Sequence, residues 1–332
     1  MLSEDSVVTT ELPPKQPGEY RIAHLSDLHL CGGRLPLTMR IKRLVYRAHP
    51  DARDLAAFVL SDIARAEVDH VVVTGDMTES AALHEYEDAA RLLAPLGGSQ
   101  TLSIIPGNHD VCYARRQKHG THTTRVPRKL WRFMDYFGHL IPDLHPPELG
   151  HGKTHIFPFV KLVDRGKIAL IGVDTTSRVP RQALALNALG TVSNRQFREL
   201  QQILTAPAIR EKTKVVLMHH HLLLLPVNQL GDSIRGMRKA RRLLELFYSA
   251  RVDLVLHGHK HHPFCWHSHT FKRHNLAIIC AGPPTTTWMD ATRIENSLVY
   301  NVYSFKEHSV QIHYRECRHR SRQNIRTIQH SR

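Results

Sequence analysis

The sequence predicts an α/β fold in which two sheets are flanked by helices, and three features carry that expectation. Short β-branched runs alternate with amphipathic stretches along most of the chain. The end of the chain is instead rich in strand-like runs at hairpin spacing. Polar clusters follow five of the runs, at the edge where open α/β sheets place their sites.

Taken in order, Arg21–Ser26 reads as the first strand. Asp54–Glu67 follows as a helix, because Leu55, Phe58, Val59 and Ile63 recur on one face. His70–Thr74, with its three consecutive valines, is the second strand. Ala82–Leu93 as a helix and Thr101–Ile105 as a strand repeat the cycle. Ile168–Val173 is a strand, and Ser193–Leu204 is a helix opened by a capping box of Ser193 and Gln196. Lys214–Met218, Arg238–Ser249 and Asp253–Leu256 supply strand, helix and strand; Leu276–Cys280, Leu298–Tyr303 and Val310–Tyr314 complete the β-rich end. This division implies an extension over residues 1–19, one domain over 20–315 and a basic tail over 316–332. From Arg315 onward there are six arginines against Glu316, so the end is expected to fray.

With 332 residues, 42% hydrophobic and 23% charged, the chain has the composition of a folded globular protein. No apolar run approaches the roughly 18 residues a membrane span needs. Glu4, Asp5, Glu11 and Glu19 against Lys15 give the first 19 residues the wrong sign for a secretory signal, and a cytoplasmic location is the default expectation. Cys31, Cys112, Cys265, Cys280 and Cys317 show no C-x-x-C spacing, which indicates reduced thiols rather than a disulfide framework or a thiolate zinc site. The formal net charge of +15 favours anionic partners without choosing among them. The 26 histidines are the compositional anomaly, and imidazole is both the commonest metal ligand and the commonest proton-transfer group.

The five clusters are Asp27-Leu28-His29, Gly75-Asp76, Gly107-Asn108-His109-Asp110, His219-His220-His221 and Gly258-His259-Lys260-His261. They offer oxygen and nitrogen ligands with no thiolate, a set suited to Mn, Fe, Co or Zn. Residues two apart in an extended segment point the same way, so 27 with 29 and 259 with 261 can converge. Glycines 75, 107 and 258 let the backbone turn sharply just before a ligand.

In this order the clusters match D-x-H, G-D, G-N-H-D, a histidine after a later strand, and G-H-x-H, and the chain resembles the calcineurin-like metallophosphoesterase superfamily over about residues 20–315. Within it, residues 21–110, 189–196 and 253–261 look closest to the bacterial class III cyclic-nucleotide phosphodiesterase-like branch. The resemblance implies a four-layer αββα sandwich of two mixed β-sheets and a centre of two divalent ions (Mn, Fe, Zn or Co). It gives Asp27, His29 and His261 to one ion, Asn108, His219 and His259 to the other, and Asp76 to both. Aligning Val215–Met218 with the family strand makes His219 the ligand, with His220 the alternative. Two such ions activate hydroxide for in-line attack on phosphorus. His109 then lies over the substrate phosphate and protonates the leaving oxygen, a usual task for imidazole.

The expected activity is phosphodiester hydrolysis, with 3′,5′-cyclic nucleotides the leading substrate. The alternatives are a pyrophosphohydrolase of a nucleotide-linked lipid precursor and a non-catalytic binding scaffold on the same fold. Residues 112–134 hold seven cations and no acid, and Arg115 and Arg116 at their start are candidate substrate-binding residues, with Lys118 beside them. Nucleic acid and acidic membrane surfaces are less favoured partners for these charges. His262, His267, His269 and His274 read as a solvated loop rather than a further metal tract.

Overall fold

The computed structural model describes residues 7–9, 12–31, 52–112, 127–142, 156–176, 189–223, 237–261, 263–268, 274–282, 297–306, 309–318 and 324–331. In chain order its strands and main helices are β1 (Val7–Thr9), β2 (Tyr20–Leu25), α1 (Ala52–Arg65), β3 (His70–Val73), α2 (Leu83–Leu93), β4 (Leu102–Ile104), α3 (Asn108–Cys112), α4 (Trp131–Phe137), β5 (Phe159–Val163), β6 (Ile168–Gly172), α5 (Asn194–Thr205), β7 (Thr213–Leu217), α6 (Ala240–Ser249), β8 (Leu254–His257), β9 (Phe264–His267), β10 (Ala277–Cys280), β11 (Ser297–Lys306), β12 (Ser309–Arg318) and β13 (Asn324–Ser331). They form two mixed sheets, ordered β1-β13-β12-β11-β2-β3-β4 and β5-β6-β7-β8-β10-β9. The α/β architecture of two mixed sheets is the one expected.

Strand direction positions the site. β2, β3 and β4 are parallel neighbours, as are β6, β7, β8 and β10. The polar clusters that follow β2, β3, β4, β7 and β8 therefore emerge at the C-terminal edges of two parallel sets.

Side chains in the second sheet alternate between two apolar cores, as the two-residue period of a strand requires. Val215, Leu217, Leu254, Leu256, Ala277 and Ile279 face the core shared with β2, β3 and β4. Val216, Val255 and Ile278 face the opposite way, against Phe197, Leu200 and Leu204 of α5 and Leu243 and Phe247 of α6. Strands apolar on both faces read as continuous hydrophobic runs, which is why β3, β7 and β8 stand out in the sequence.

Several expectations need correction. The tail does not fray throughout: β13 pairs antiparallel with β12, and β1 pairs with β13 in turn. Charge counting overlooked the β-branched Ile325, Thr327 and Ile328 within that segment. Ser193 does cap α5, its hydroxyl accepting from Gln196 N at 3.1 Å. The Gln196 side chain, however, turns to the backbone of Asp174, accepting from its N at 3.0 Å and donating to its O at 2.8 Å. His267 and His274 are half-buried, not solvated: His267 lies in β9 with Nε2 3.0 Å from Cys265 Sγ, and His274 Nε2 donates to Val252 O at 2.8 Å. His262 and His269 lie outside the described residues.

Arg315, placed at the start of the frayed end by its charge, is instead an anchor. Its Nε and Nη2 donate to the two carboxylate oxygens of Asp62 in α1 at 2.5 and 2.7 Å, and Tyr300 of β11 donates to the same carboxylate at 2.7 Å. Asp62 is 1% exposed and Arg315 8%. Removing one member of such a pair strands the other charge, so Asp62→Ala is expected to cost about 3–5 kcal/mol of stability. A lowered urea midpoint at unchanged slope checks this; a shift below about 1 kcal/mol contradicts it.

Candidate metal centre

The turns that carry the expected ligands are held in an unusual backbone. Asp27, His29, Asp76, His259 and His261 all have positive φ, between +44° and +72°. Left-handed conformations cost non-glycine residues of order 1–3 kcal/mol, and Asp and His are among those that tolerate them best. Hydrogen bonds between the turns hold them there: Asp27 N donates to Gly75 O at 2.9 Å, His29 N to Asp76 O at 2.9 Å, and Gly258 N to His219 O at 3.1 Å. Glycine is required at 75, where φ is +97° and a Cβ would lie 2.5 Å from Gly107 N. At 258 a Cβ would collide with Ser26 and Asp27.

These turns gather two groups of donor atoms, Asp27 with His29 and His261, and Asp76 with His219 and His259; within each, the donors lie within 4.8 Å of one another. His261 Nε2 is 3.4 Å from Asp27 Oδ1 and 3.1 Å from His29 Nε2. His219 Nε2 is 3.1 Å from Asp76 Oδ2 and 3.0 Å from Asn108 Oδ1. The groups adjoin, since His29 Nε2 is 3.8 Å from both Asp27 Oδ1 and Asp76 Oδ2. His109 joins His29 and Asp76 in a third donor group, and its backbone N donates to Asp76 Oδ1 at 2.7 Å. All seven residues expected to ligate metal thus meet at one place.

His220 stands behind them. Its Nδ1 is 2.8 Å from Thr175 Oγ1, and its ring packs 4.6 Å from that of His259. It belongs to none of the three donor groups among the described residues, whereas His219 belongs to one. Arg115, Arg116 and Lys118 lie outside the described residues. Of the same basic stretch, Lys129 is committed to Asp174 at 2.8 Å and Arg132 to Ala81 O.

Glu79 was overlooked in the sequence reading. Its carboxylate accepts from His29 Nδ1 at 2.8 Å, and its carbonyl accepts from His109 Nδ1 at 2.8 Å, so one residue orients both rings. The available signal was its place three residues after Asp76, in a turn already carrying an expected ligand. Asp110, the last residue of the G-N-H-D cluster, is a structural clamp: its carboxylate accepts from Gly107 N, Thr78 N and Thr78 Oγ1 at 2.9, 3.0 and 2.9 Å. Burial, reinforced by Asp76, pushes its pKa up to about 6.

The electrostatics describe a buried negative centre that draws in positive charge. Burial alone would raise the pKa of Asp27, but His261, His29 and His219 outweigh it and hold the carboxyl at about 2. Asp76 is likewise held well below the carboxylate range by His219, His109 and His29 against the effect of burial. Burial disfavours a charged His219, yet Asp76 raises its pKa to about 9. Burial shifts the pKa of His259 down and lowers that of His261 to about 4. The side chains of His109 and His261 keep 22% and 24% exposure while Asp27, Asp76 and His219 have at most 1%, so the centre opens on the His109–His261 side.

These features fit divalent cations. The donors are carboxylate, amide and imidazole, with ring orientations set from behind: His29 Nδ1 by Glu79, and His219 Nδ1 by Thr74 O at 2.8 Å. The adjoining buried carboxylates present the negative charge that such ions neutralise.

Two facing mixed sheets with these donors at the strand ends form the architecture of a metallophosphoesterase. The chain belongs to the calcineurin-like phosphoesterase family, whose model matches residues 20–263. Its fold is similar to that of a dimetal phosphatase from Danio rerio, with a TM-score of 0.60 at 12% identity over 94% of this chain and 98% of that one. It is also similar to a purple acid phosphatase from yellow lupin seeds, with a TM-score of 0.55 at 11% identity over 90% of this chain and 51% of that one. At such identities the likeness is one of fold. No curated protein sequence gives a significant match. Among the described residues, no helix is long and apolar enough to cross a membrane.

Proposed function

We propose that the chain is a dinuclear metal-dependent phosphodiesterase, with 3′,5′-cyclic nucleotides as its leading substrate class. The observation that carries the two-ion part of this reading is the pair of adjoining donor groups, Asp27–His29–His261 and Asp76–His219–His259, with the Asp27 and Asp76 carboxylates each 3.8 Å from His29 Nε2. The substrate class rests on the resemblance of residues 21–110, 189–196 and 253–261. In this reading each group holds one divalent ion, Asn108 joins the second, and Asp76 serves both. Bound there, such ions supply Lewis acidity to the phosphoryl oxygens and acidify water at neutral pH.

The chain's own residues do the rest. Hydrolysis adds water across one P–O ester bond, and the departing oxygen leaves as an alkoxide unless it is protonated. His109, tied by Nδ1 to the Glu79 carbonyl, supplies that proton from the open side of the centre. No side-chain nucleophile is needed. Arg115, Arg116 and Lys118 guide the anionic substrate towards His109. Charge reversal at these three positions is expected to lower kcat/KM mainly at low salt, because such fields are screened over about 10 Å at 0.1 M ionic strength. Equal losses at all salt concentrations would contradict guidance and indicate direct contact.

Comparing cyclic nucleotides, linear diesters, monoesters and nucleoside-diphosphate lipids on Mn²⁺-reconstituted protein tests the substrate class. Diesters are expected to turn over fastest. Preference for the lipid-linked pyrophosphate would select the pyrophosphohydrolase alternative. Absence of turnover, with metal-free protein binding polyanions on a steep salt slope, would select the scaffold.

A further inference from the structure

Behind the ligands, a line of buried polar groups runs from the C-terminal hairpin to the metal centre. Asn301 Nδ2 donates to Tyr303 Oη at 3.2 Å, and the tyrosine hydrogen is then directed at His24 Nδ1, 2.9 Å away. Accepting at Nδ1, a neutral imidazole donates from Nε2, and His24 Nε2 lies 2.9 Å from Thr74 Oγ1. Thr74 O in turn accepts from His219 Nδ1 at 2.8 Å. Asn301, Tyr303, His24, Thr74 and His219 are all 0% exposed, so water cannot replace any of these bonds. Burial keeps His24 neutral, its pKa pushed down to about 3.

Thr74 is the junction. Its side chain is held by His24, its N donates to Leu25 O at 2.9 Å, and its carbonyl fixes the ring of His219. The next two residues are Gly75 and Asp76, both at positive φ. The position of one peptide thus determines a ligand from each sheet, Asp76 through the chain and His219 through a hydrogen bond. An unheld Thr74 hydroxyl in this dry interior would have to seek another partner, and the peptide would move with it.

We propose that His24 is a positioning residue of the metal centre: acting through Thr74, it sets the alignment of Asp76 and His219 and so the affinity of the Asp76–His219–His259 group for its ion. The proposal deepens the two-ion reading above and rests on it. Polar partners behind metal ligands typically command about 10–100-fold in affinity, which gives the size of the effect.

Calorimetric Mn²⁺ titration of the full chain tests this in wild type, His24→Phe and His24→Gln, with thermal unfolding of the metal-free proteins to establish that each is folded. Glutamine keeps one donor and one acceptor on its amide; phenylalanine keeps the ring and neither. Wild type is expected to bind two Mn²⁺. His24→Phe is expected to weaken chiefly one of the two by about 10–100-fold, and His24→Gln to recover most of that loss. If His24→Phe does not fold, Tyr303→Phe removes only the hydroxyl that orients His24, and a smaller loss at the same ion is expected. Wild-type affinity in the folded variants overturns the proposal, as does equal weakening of both ions without rescue by glutamine. Failure of wild type to bind Mn²⁺ overturns the two-ion reading instead.

Discussion

Asp76→Asn is expected to remove bound metal and activity together. Asp76 is 1% exposed, and its two oxygens face different partners, Oδ2 the His219 Nε2 at 3.1 Å and Oδ1 the backbone N of His109 at 2.7 Å. It occurs in two of the three donor groups, one with His219 and His259 and one with His29 and His109. The amide keeps the size and one acceptor, so the turn can persist, but the charge that draws cations to both halves is lost. The loss of kcat/KM on a chromogenic diester should exceed the roughly 100-fold that a residue merely behind a ligand commands. Metal content falls in the same protein. Two retained ions with near-normal turnover would rule out a shared carboxylate.

His109→Ala is expected to separate substrates by leaving group while keeping its metals. The imidazole is oriented by Glu79, through the carbonyl at 2.8 Å and the carboxylate at 3.7 Å from Nδ1, and its side chain is 22% exposed. A proton donor matters most when the departing oxygen is a poor leaving group, such as a ribose hydroxyl, and least for p-nitrophenolate, which departs unaided. The expected kcat loss is about 10²–10⁴-fold on a nucleoside or alkyl diester and far smaller on its p-nitrophenyl counterpart. Because His109 also lies in a donor group with His29 and Asp76, metal content is measured on the same protein. Loss of an ion would make it a ligand. Equal losses on both substrates with full metal content would make it a stabiliser of phosphoryl charge rather than an acid.

The candidate centre was legible in the sequence because most residues expected to ligate metal, Asp76, His219, His259 and His261, follow strands that are apolar on both faces, β3, β7 and β8. Val71–Val73 and Val215–Leu217 mark the strand ends to within a residue, and Asp76 and His219 follow within a few residues. The supporting residues were harder. Glu79 sits in a turn whose path cannot be inferred from spacing, and His24 reads as one polar interruption of an apolar run. What each touches, Glu79 with His29 and His109 or His24 with Thr74 and Tyr303, depends on contacts 30 to 279 residues apart in the chain. β5 was missed because Lys161 interrupts its pattern; in the fold that amine is buried, donating to Leu102 O at 2.8 Å and Leu140 O at 3.0 Å. β13 was missed because its arginine and histidine outweighed its β-branched residues. Local charge is a poor guide where pairing with a neighbouring strand satisfies the backbone.

Metal content per chain, measured on the full-length protein after reconstitution with Mn²⁺ and removal of excess ion, tests the central claim most directly. Two ions per chain, and a matching gain of diesterase activity over the chelated protein, are the predicted result. Turnover of a diester by protein carrying no ion, or saturation at a single ion with full activity, would contradict it.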